Sequence, residues 1–259
     1  MNQRLRILTL NIAHGRGLSA YQGFHGVRGI QRNLQRIARL LERENADIVT
    51  MQEVDESSHW NRYIHLLDFL KAEVGYSHSC LKVHNRRVGR LPLAYGNGVL
   101  SRYPIAHTDH RSFGNATLGE KGFVYTEHKF ADKLLPVVNL HLDYKSKTSR
   151  IHQVECLITF LEKQLSKNRN KNSLLPVVCG DFNSRSKKTD DAVMYLHDYL
   201  QAHSAYKLYP QKGRTFPSIL PIRGLDFVIV PSSYKVNHCK IVRSYVSDHR
   251  PVLVDLEVA

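Results

Sequence analysis

The chain alternates short, unbroken apolar runs with stretches whose apolar residues recur every three to four positions, the patterns of buried strands and one-sided helices. Arg6–Asn11 (RILTLN) predicts a first strand, a loop containing Gly, His and Arg runs to about Gly29, and Ile30–Arg43, apolar at 30, 34, 37, 40 and 41, predicts a helix. Asp47–Glu53 (DIVTMQE) repeats the strand pattern and ends in an acid. Trp60–Val74 repeats the helical one, with Trp60, Ile64, Leu67 and Leu70 on a single face. Strand, helix, strand, helix is the opening of an α/β protein.

From Ser77 to His141 the texture changes to short strand-like runs broken by Gly and Pro, among them Gly96–Ile105, Lys121–Phe130 and Leu134–Asp143, which predict a mixed or antiparallel sheet region. Ser149–Leu165, apolar at 151, 154, 157, 158, 161 and 165, predicts a helix, and LLPVVC (Leu174–Cys179) a buried strand. A shorter helix follows over Asp190–Gln201. His203–Arg223 is a long connection containing Tyr and Pro, and a connection of that length in a compact domain usually carries function. Leu225–Val230, Val236–Arg243 and Val252–Val258 close the chain as three strand-like runs. There is no linker, low-complexity tract or short repeat, so a single domain over 1–259 is expected.

The ends of the apolar runs carry the candidate chemistry. LLPVVC stops at Gly180 and is followed by Asp181, Phe182 and Asn183. A rigid strand fixes the first residue of such a loop while water reaches the rest, so Asp181 and Asn183 are placed to act, with Phe182 turned into the core. Asn11, Glu53, His141, Asp226 and the pair Asp248–His249 also begin or end apolar runs. Each has a plainer reading: a turn for Asn11, a surface acid for Glu53, a core histidine for His141 between two leucines, a cap for Asp181 or Asp226.

Composition narrows the setting. At 259 residues and 42% hydrophobic content the chain can bury a large core without covalent staples. Cys80, Cys156, Cys179 and Cys239 are widely spaced with no CxxC pair, and Cys156 and Cys179 lie in apolar runs, which suggests reduced thiols in a reducing compartment. The N-terminus enters a strand-like run directly, and no apolar stretch approaches the ~20 residues of a membrane span, so a soluble, cytoplasmic monomer is expected. Lys and Arg number 37 against 23 acids, a net charge of +14 and a pI near 9.7. That balance favours polyanionic partners, nucleic acid or an anionic lipid surface. Basic clusters occur at 82–90, 145–150, 167–171 and 185–188, and two of them directly follow the strand ends at His141 and Asn183.

In chain order, RILTLN, QE, NLH, GDFN, LDF and SDHRP resemble the endonuclease/exonuclease/phosphatase superfamily, in the manner of a bacterial branch. That superfamily includes deoxyribonucleases, abasic-site endonucleases, tyrosyl-DNA phosphodiesterases, neutral sphingomyelinases and inositol polyphosphate 5-phosphatases. The resemblance covers Arg6 to Val258, and GDFN with SDHRPV is its most specific part. It implies an α/β fold of two packed mixed β-sheets flanked by helices, a four-layer sandwich, and divalent-metal-dependent phosphoester hydrolysis.

The resemblance also implies roles. Mg²⁺, or Mn²⁺ in its place, would sit on Glu53 with Asn11 beside it and Asp248 binding directly or through water, since a hard cation prefers oxygen donors. Asp181 would orient or deprotonate the attacking water with Asn183 holding its geometry, and His141 would donate to a phosphate oxygen. His249 would contact the phosphate or take a proton, with Asp226 on its other ring nitrogen; whether Asp181 or His249 is the base stays open. Asn97 in YGNGVLS, Arg150 in the RxxQ that opens the helix, Arg185 after Asn183 and Phe216 in TFPS are the candidate substrate contacts. Arg223 in RGLD is displaced from the RID seen in many members. Nucleic acid is the first substrate expectation, a lipid or sugar phosphate the second, and a binding protein without catalysis the third.

Overall fold

The computed structural model describes residues 3–23, 25–114, 119–168, 172–184 and 191–258. In chain order the elements are β1 (Gln3–Asn11), α1 (Val27–Glu44), β2 (Ile48–Asp55), α2 (Leu66–Val74), β3 (His78–Arg87), β4 (Leu93–Ser101), β5 (Ile105–Ser112), β6 (Gly122–Phe130) and β7 (Lys133–His141). They continue with α3 (Lys147–Asn168), β8 (Val177–Asp181), α4 (Ala192–Ser204), β9 (Tyr206–Tyr209), β10 (Asp226–Pro231), β11 (Lys235–Ile241) and β12 (Val252–Val258).

The strands form two six-stranded mixed sheets, ordered β11-β12-β1-β2-β4-β3 and β5-β6-β7-β8-β10-β9. Successive side chains of a strand point to opposite faces, and the alternation sorts the core into layers. Leu5, Ile7 and Ile48 of the first sheet pack against Val137, Val177 and Val228 of the second. The intervening residues face outwards: Leu8, Leu10 and Met51 meet Leu34, Ile37 and Leu67 of α1 and α2. Val138, Leu140 and Val178 likewise meet Leu157 and Leu161 of α3 and Leu196 of α4. The result is the expected four-layer sandwich, helices outside and two sheets within.

Two elements differ from the sequence expectation. The helix predicted over Trp60–Val74 begins only at Leu66, because Ser58 and Asn61 cap each other around a single tight turn at His59–Asn61. Arg62 and Tyr63 then take left-handed backbone at φ 61° and 60°, which an α-helix cannot absorb. Trp60 thereby leaves the helical face and turns toward β2. The long connection is also shorter than expected, since Tyr206–Tyr209 pairs with β10 as an edge strand.

The strand directions gather the long loops at one end. β1 and β2 run parallel, as do β7 and β8, while β4, β6, β10 and β12 run against them. The C-termini of the first four and the N-termini of the second four therefore share one end of the sandwich. Among the described residues, no helix is long and apolar enough to cross a membrane.

Candidate functional site

The inter-sheet layer changes character along its length. On β1 the inward register reads Leu5, Ile7, Thr9, Asn11, and on β7 Leu135, Val137, Asn139, His141. Where it turns polar the groups satisfy one another: Gln52 donates to Asn139 Oδ1 at 2.7 Å, and Asn139 Nδ2 donates to the carbonyls of Met51 and Gly98, both at 2.9 Å. Beyond them the layer opens into a cleft of about 460 Å³ lined by Asn11, Glu53, His141, Asp181, Asp248 and His249, among others. The site is the polar end of the same register that forms the core.

Asp181 sits where these groups converge. Its Oδ1 accepts from the Asn183 N–H at 2.9 Å, and its Oδ2 accepts from Asn11 Nδ2 at 3.1 Å. His141 Nε2 lies 3.4 Å and His249 Nε2 3.7 Å from that same Oδ2. Gly180 makes the placement possible: at φ 144° β8 lies so close to β7 that a Cβ would collide with the Leu140 carbonyl oxygen. Burial pushes the Asp181 carboxyl up, and the Asp226 carboxylate adds to this against the pull of His249.

The two histidines beside it are in opposite states. His249 Nδ1 is 2.9 Å from Asp226 Oδ2. Burial alone would lower this imidazole, but Asp226 and Asp181 hold it up to about 10, so it is an imidazolium at neutral pH. His141 is pushed well below the ordinary imidazole value, first by burial and then by Lys121. Lys121 Nζ stands 3.4 Å from His141 Nδ1; an ammonium has no lone pair, so Nδ1 accepts and Nε2 carries the proton toward Asp181.

A β-bulge aims Glu53. Met51 pairs with Gly98 and Val54 with Gly96, so two residues of β2 oppose one of β4. Without the extra residue Glu53 would share the register of Val49 and Met51 and point at the helices. With it, and at φ 56°, the carboxylate lines the cleft. Lys121 Nζ donates to Glu53 Oε1 at 3.2 Å, and His14 Nε2 lies 3.5 Å from Oε2. Burial opposes ionisation of Glu53, yet Lys121 and then His14 hold its carboxyl well below the usual range.

A family model described as the endonuclease/exonuclease/phosphatase family matches residues 8–249. The chain belongs to the endonuclease/exonuclease/phosphatase family. Its members hydrolyse phosphoesters, and the chain is an enzyme of that class. The uncharacterized protein YbhP of Escherichia coli K12 is 23% identical, with 98% of this chain and 96% of YbhP covered. Among solved structures, ANGEL2, a 2′,3′-cyclic phosphatase, is similar at TM-score 0.72 and 15% identity, with 99% of this chain and 96% of that one covered. Sphingomyelinase C from Streptomyces griseocarneus is similar at TM-score 0.67 and 19% identity, over 99% and 100% of the two chains.

In this family member the cleft brings together Asn11, Glu53, His141, Asp181, Asn183, Asp248 and His249, with Asp226 directly behind His249. Other predicted contacts fall elsewhere. Asn97 is 1% exposed and joins the sheets by donating to the carbonyls of Gly122 and Asn139 at 3.0 and 3.1 Å, so it is not at the rim. Arg150 lines an adjoining pocket, but its guanidinium is held by Asp191 Oδ1 at 3.2 Å and the Asp143 carbonyl at 3.2 Å. Phe216 lies with its ring 4.8 Å from that of His249. Arg185 lies outside the described residues.

Sequence reasoning missed several cleft residues, among them His14, Trp60 and Lys121, and also missed Asp55, which is buried behind His14. His14 Nδ1 and Trp60 Nε1 both meet the Asp55 carboxylate, each at 2.9 Å, and the His14 ring packs edge-on against Trp60 and Tyr95. The nearest signal was the His14–Gly15 pair in IAHG, the segment directly after Asn11. Asp55 and Lys121 gave none, being recognisable only by what faces them.

Two groups of donors are candidates for a metal ion. Asp181, Asp226 and His249 offer atoms all within 4.8 Å of one another, close enough to hold one. Asn11, Glu53 and Asp248 bring one carboxamide and two carboxylates to the same cleft, with Asn11 Oδ1 accepting from the Ala13 N–H at 2.9 Å and its Nδ2 turned to Asp181. Both sets are already paired, Asp226 with His249, Glu53 with Lys121 and His14, and Asp248 with Arg16, and the set without an imidazole nitrogen suits a hard divalent cation better.

Proposed function

We propose that the chain is a divalent-cation-dependent phosphodiesterase in which Asp181 is the base. The observation that carries this is the convergence of Asn11, His141 and His249 on Asp181 Oδ2, a buried carboxyl with a raised pKa at the floor of an open cleft. A carboxylate poised toward neutrality can take a proton from an attacking water, whereas His249, held as imidazolium by Asp226, has no free lone pair with which to take one. His249 Nε2–H and His141 Nε2–H instead donate to phosphate oxygens, where negative charge builds during displacement. Asn183, through its N–H to Asp181 Oδ1 and its Nδ2 to the Leu142 carbonyl at 2.9 Å, fixes the carboxylate. Asn11, Glu53 and Asp248 would hold Mg²⁺ or Mn²⁺, with Arg16 steadying Asp248 at 2.5 Å. The cation supplies charge neutralisation and Lewis acidity at the phosphate.

The substrate is a phosphodiester at a polyanionic surface. Nucleic acid is supported by the basic loops around the cleft. That support is thinner than the sequence suggested, because Arg150 is neutralised internally by Asp191. A phospholipid headgroup is favoured by a separate observation, the strongly exposed aliphatic side chains of Ile219, Leu220 and Ile222 beside Phe216. A 2′,3′-cyclic phosphatase, ANGEL2, and a sphingomyelinase share this fold.

The test compares the native chain with Asp181→Ala on three substrates, each with Mg²⁺ or EDTA: soluble bis-p-nitrophenyl phosphate, an end-labelled duplex carrying a nick and an abasic site, and phospholipid vesicles. Metal-dependent turnover of the soluble diester that Asp181→Ala removes is expected, and the duplex and vesicle arms assign the substrate. Turnover that survives Asp181→Ala would overturn the assignment of the base.

A further inference from the structure

Exposed apolar side chains are concentrated at one end of the molecule. Of the twelve large apolar residues that stand exposed among the described residues, ten lie on loops or at a helix start at the cleft end. Leu165 and Tyr195, on α3 and α4, are the exceptions, so the distribution follows the site and not the surface at large. Tyr144, 61% exposed, stands in the cleft wall, and Leu18 and Tyr21 lie on the loop that leaves β1.

Ile219, Leu220 and Ile222, 63%, 74% and 59% exposed, form the most prominent group. Their segment is closed at its neck. The N–H groups of Thr215 and Phe216 donate to the Arg223 carbonyl at 2.7 and 2.9 Å, and those of Ile222 and Arg223 donate to the Phe216 carbonyl at 2.9 and 2.8 Å. Ser218 Oγ donates to the Ser247 carbonyl at 2.6 Å and the Arg250 N–H to the Thr215 carbonyl at 2.8 Å, which ties the neck to the loop bearing His249. A tied neck holds an aliphatic tip in water beside the cleft, at a cost in exposed apolar surface that a fold avoids unless something covers it.

Charge identifies the cover. Residues 210–224 include Lys212, Arg214 and Arg223 and no acid, 144–149 include Lys145 and Lys147 and no acid, and Arg28 opens α1, whereas Arg150 and Arg16 are held by Asp191 and Asp248. Lys212, Arg214 and Arg223 are themselves exposed. Nucleic acid would engage the cations but has no use for three aliphatic tips where stacking would call for aromatic rings. A protein partner would call for a broad apolar centre, whereas this tip is three aliphatic side chains bordered in sequence by Lys212, Arg214 and Arg223. Aliphatic side chains that enter the acyl boundary, with lysines and arginines at headgroup level, are the composition of a surface that lies on an anionic bilayer.

We propose that the cleft end docks on anionic phospholipid membranes through the Ile219–Leu220–Ile222 tip and its acid-free basic loops. Docking turns the mouth of the cleft toward the headgroups. The inference extends the lipid reading given above, but its test reads binding and not turnover.

The experiment is cosedimentation of the full chain with large vesicles of phosphatidylcholine, with or without an equal part of phosphatidylglycerol. The native chain should pellet with the mixed vesicles and not with phosphatidylcholine alone, and raised salt should release it. Combined Ile219→Ser, Leu220→Ser and Ile222→Ser should weaken binding by at least about tenfold, while Leu165→Ser on α3 leaves it unchanged. Circular dichroism and turnover of soluble bis-p-nitrophenyl phosphate show that each variant is folded and its site intact. A native chain that stays in the supernatant with mixed vesicles overturns the proposal, as does a triple variant that binds as tightly as the native chain. A triple variant that loses affinity for a duplex oligonucleotide but not for vesicles assigns the face to nucleic acid instead. Vesicle binding by a chain that turns over no phosphodiester leaves docking in place and removes the catalytic reading.

Discussion

His128 and His249 are both buried, at opposite ends of one inter-sheet layer, and they are held in opposite charge states. His128 lies between the hydroxyls of Ser101 and Thr126, at 2.9 and 2.8 Å, and burial drives its imidazole down to about 3. His249 lies against two carboxylates that hold its imidazole up to about 10 in spite of equal desolvation. Hydroxyls can serve a neutral ring as donor and acceptor without favouring its charge, whereas a carboxylate stabilises only the charged ring. Burial therefore does not separate core from site in this protein. The partners do: the far end is closed by neutral pairs, and the cleft end is built from charges that are each paired before a substrate arrives.

The largest break in that comparison is at the centre of the charged end. Asp181→Asn, of equal shape, should retain the fold and lower kcat for a phosphodiester by about 10³-fold or more, measured as initial rates at saturating Mg²⁺. Asp226→Asn should cost on the order of 10²-fold by freeing His249. It carries a sign as well. If His249 acts as imidazolium, the rate falls as pH rises through its pKa, so losing Asp226 moves that alkaline limb to lower pH; a limb that stays in place would mean that Asp226 does not set the charge of His249.

Asn97→Ala sharpens the distinction between site and strut. It removes both inter-sheet hydrogen bonds and should destabilise by about 1–3 kcal/mol in urea titration with KM unchanged. A raised KM at unaltered stability would restore Asn97 to the substrate rim. At the far end the effect shows only in acid. Unfolded His128 titrates near the ordinary ~6.5 and the folded residue only near 3, so the unfolded state binds the extra proton between them and stability falls as pH drops through that window. The loss is at most ~1.4 kcal/mol per pH unit. It should be absent in His128→Gln when stability is followed from neutral pH downward.

Most of the fold was legible because alternation and helical spacing are properties of the chain alone, and in this protein the core obeys them. Asp181, His141 and Asp226 were legible for the same reason: each interrupts an apolar run where the register would place another core side chain, whereas His249, on the loop before β12, was reached through the resemblance of SDHRP. Glu53 was found by position, but its direction depends on a bulge that only the pairing with β4 reveals. Asp55 and Lys121 could not be found, since each owes its place to a partner distant in sequence: His14 for Asp55, and Glu53 and His141 for Lys121. Asn97 misled because the resemblance of YGNGVLS placed it against substrate, whereas its flanking glycines allow close strand approach, as at Gly96 against the backbone of Lys82. Trp60 kept helical spacing with Ile64, but the caps on Ser58 and Asn61 broke the helix first.

The most direct test of paired charge against paired hydroxyl is a histidine titration of the cation-free protein by NMR, with His249→Asn and His128→Gln used to assign the two ring signals. The account predicts that His249 stays protonated well above the ordinary imidazole value of ~6.5 while His128 stays neutral well below it. Titration of both rings near that ordinary value would contradict it.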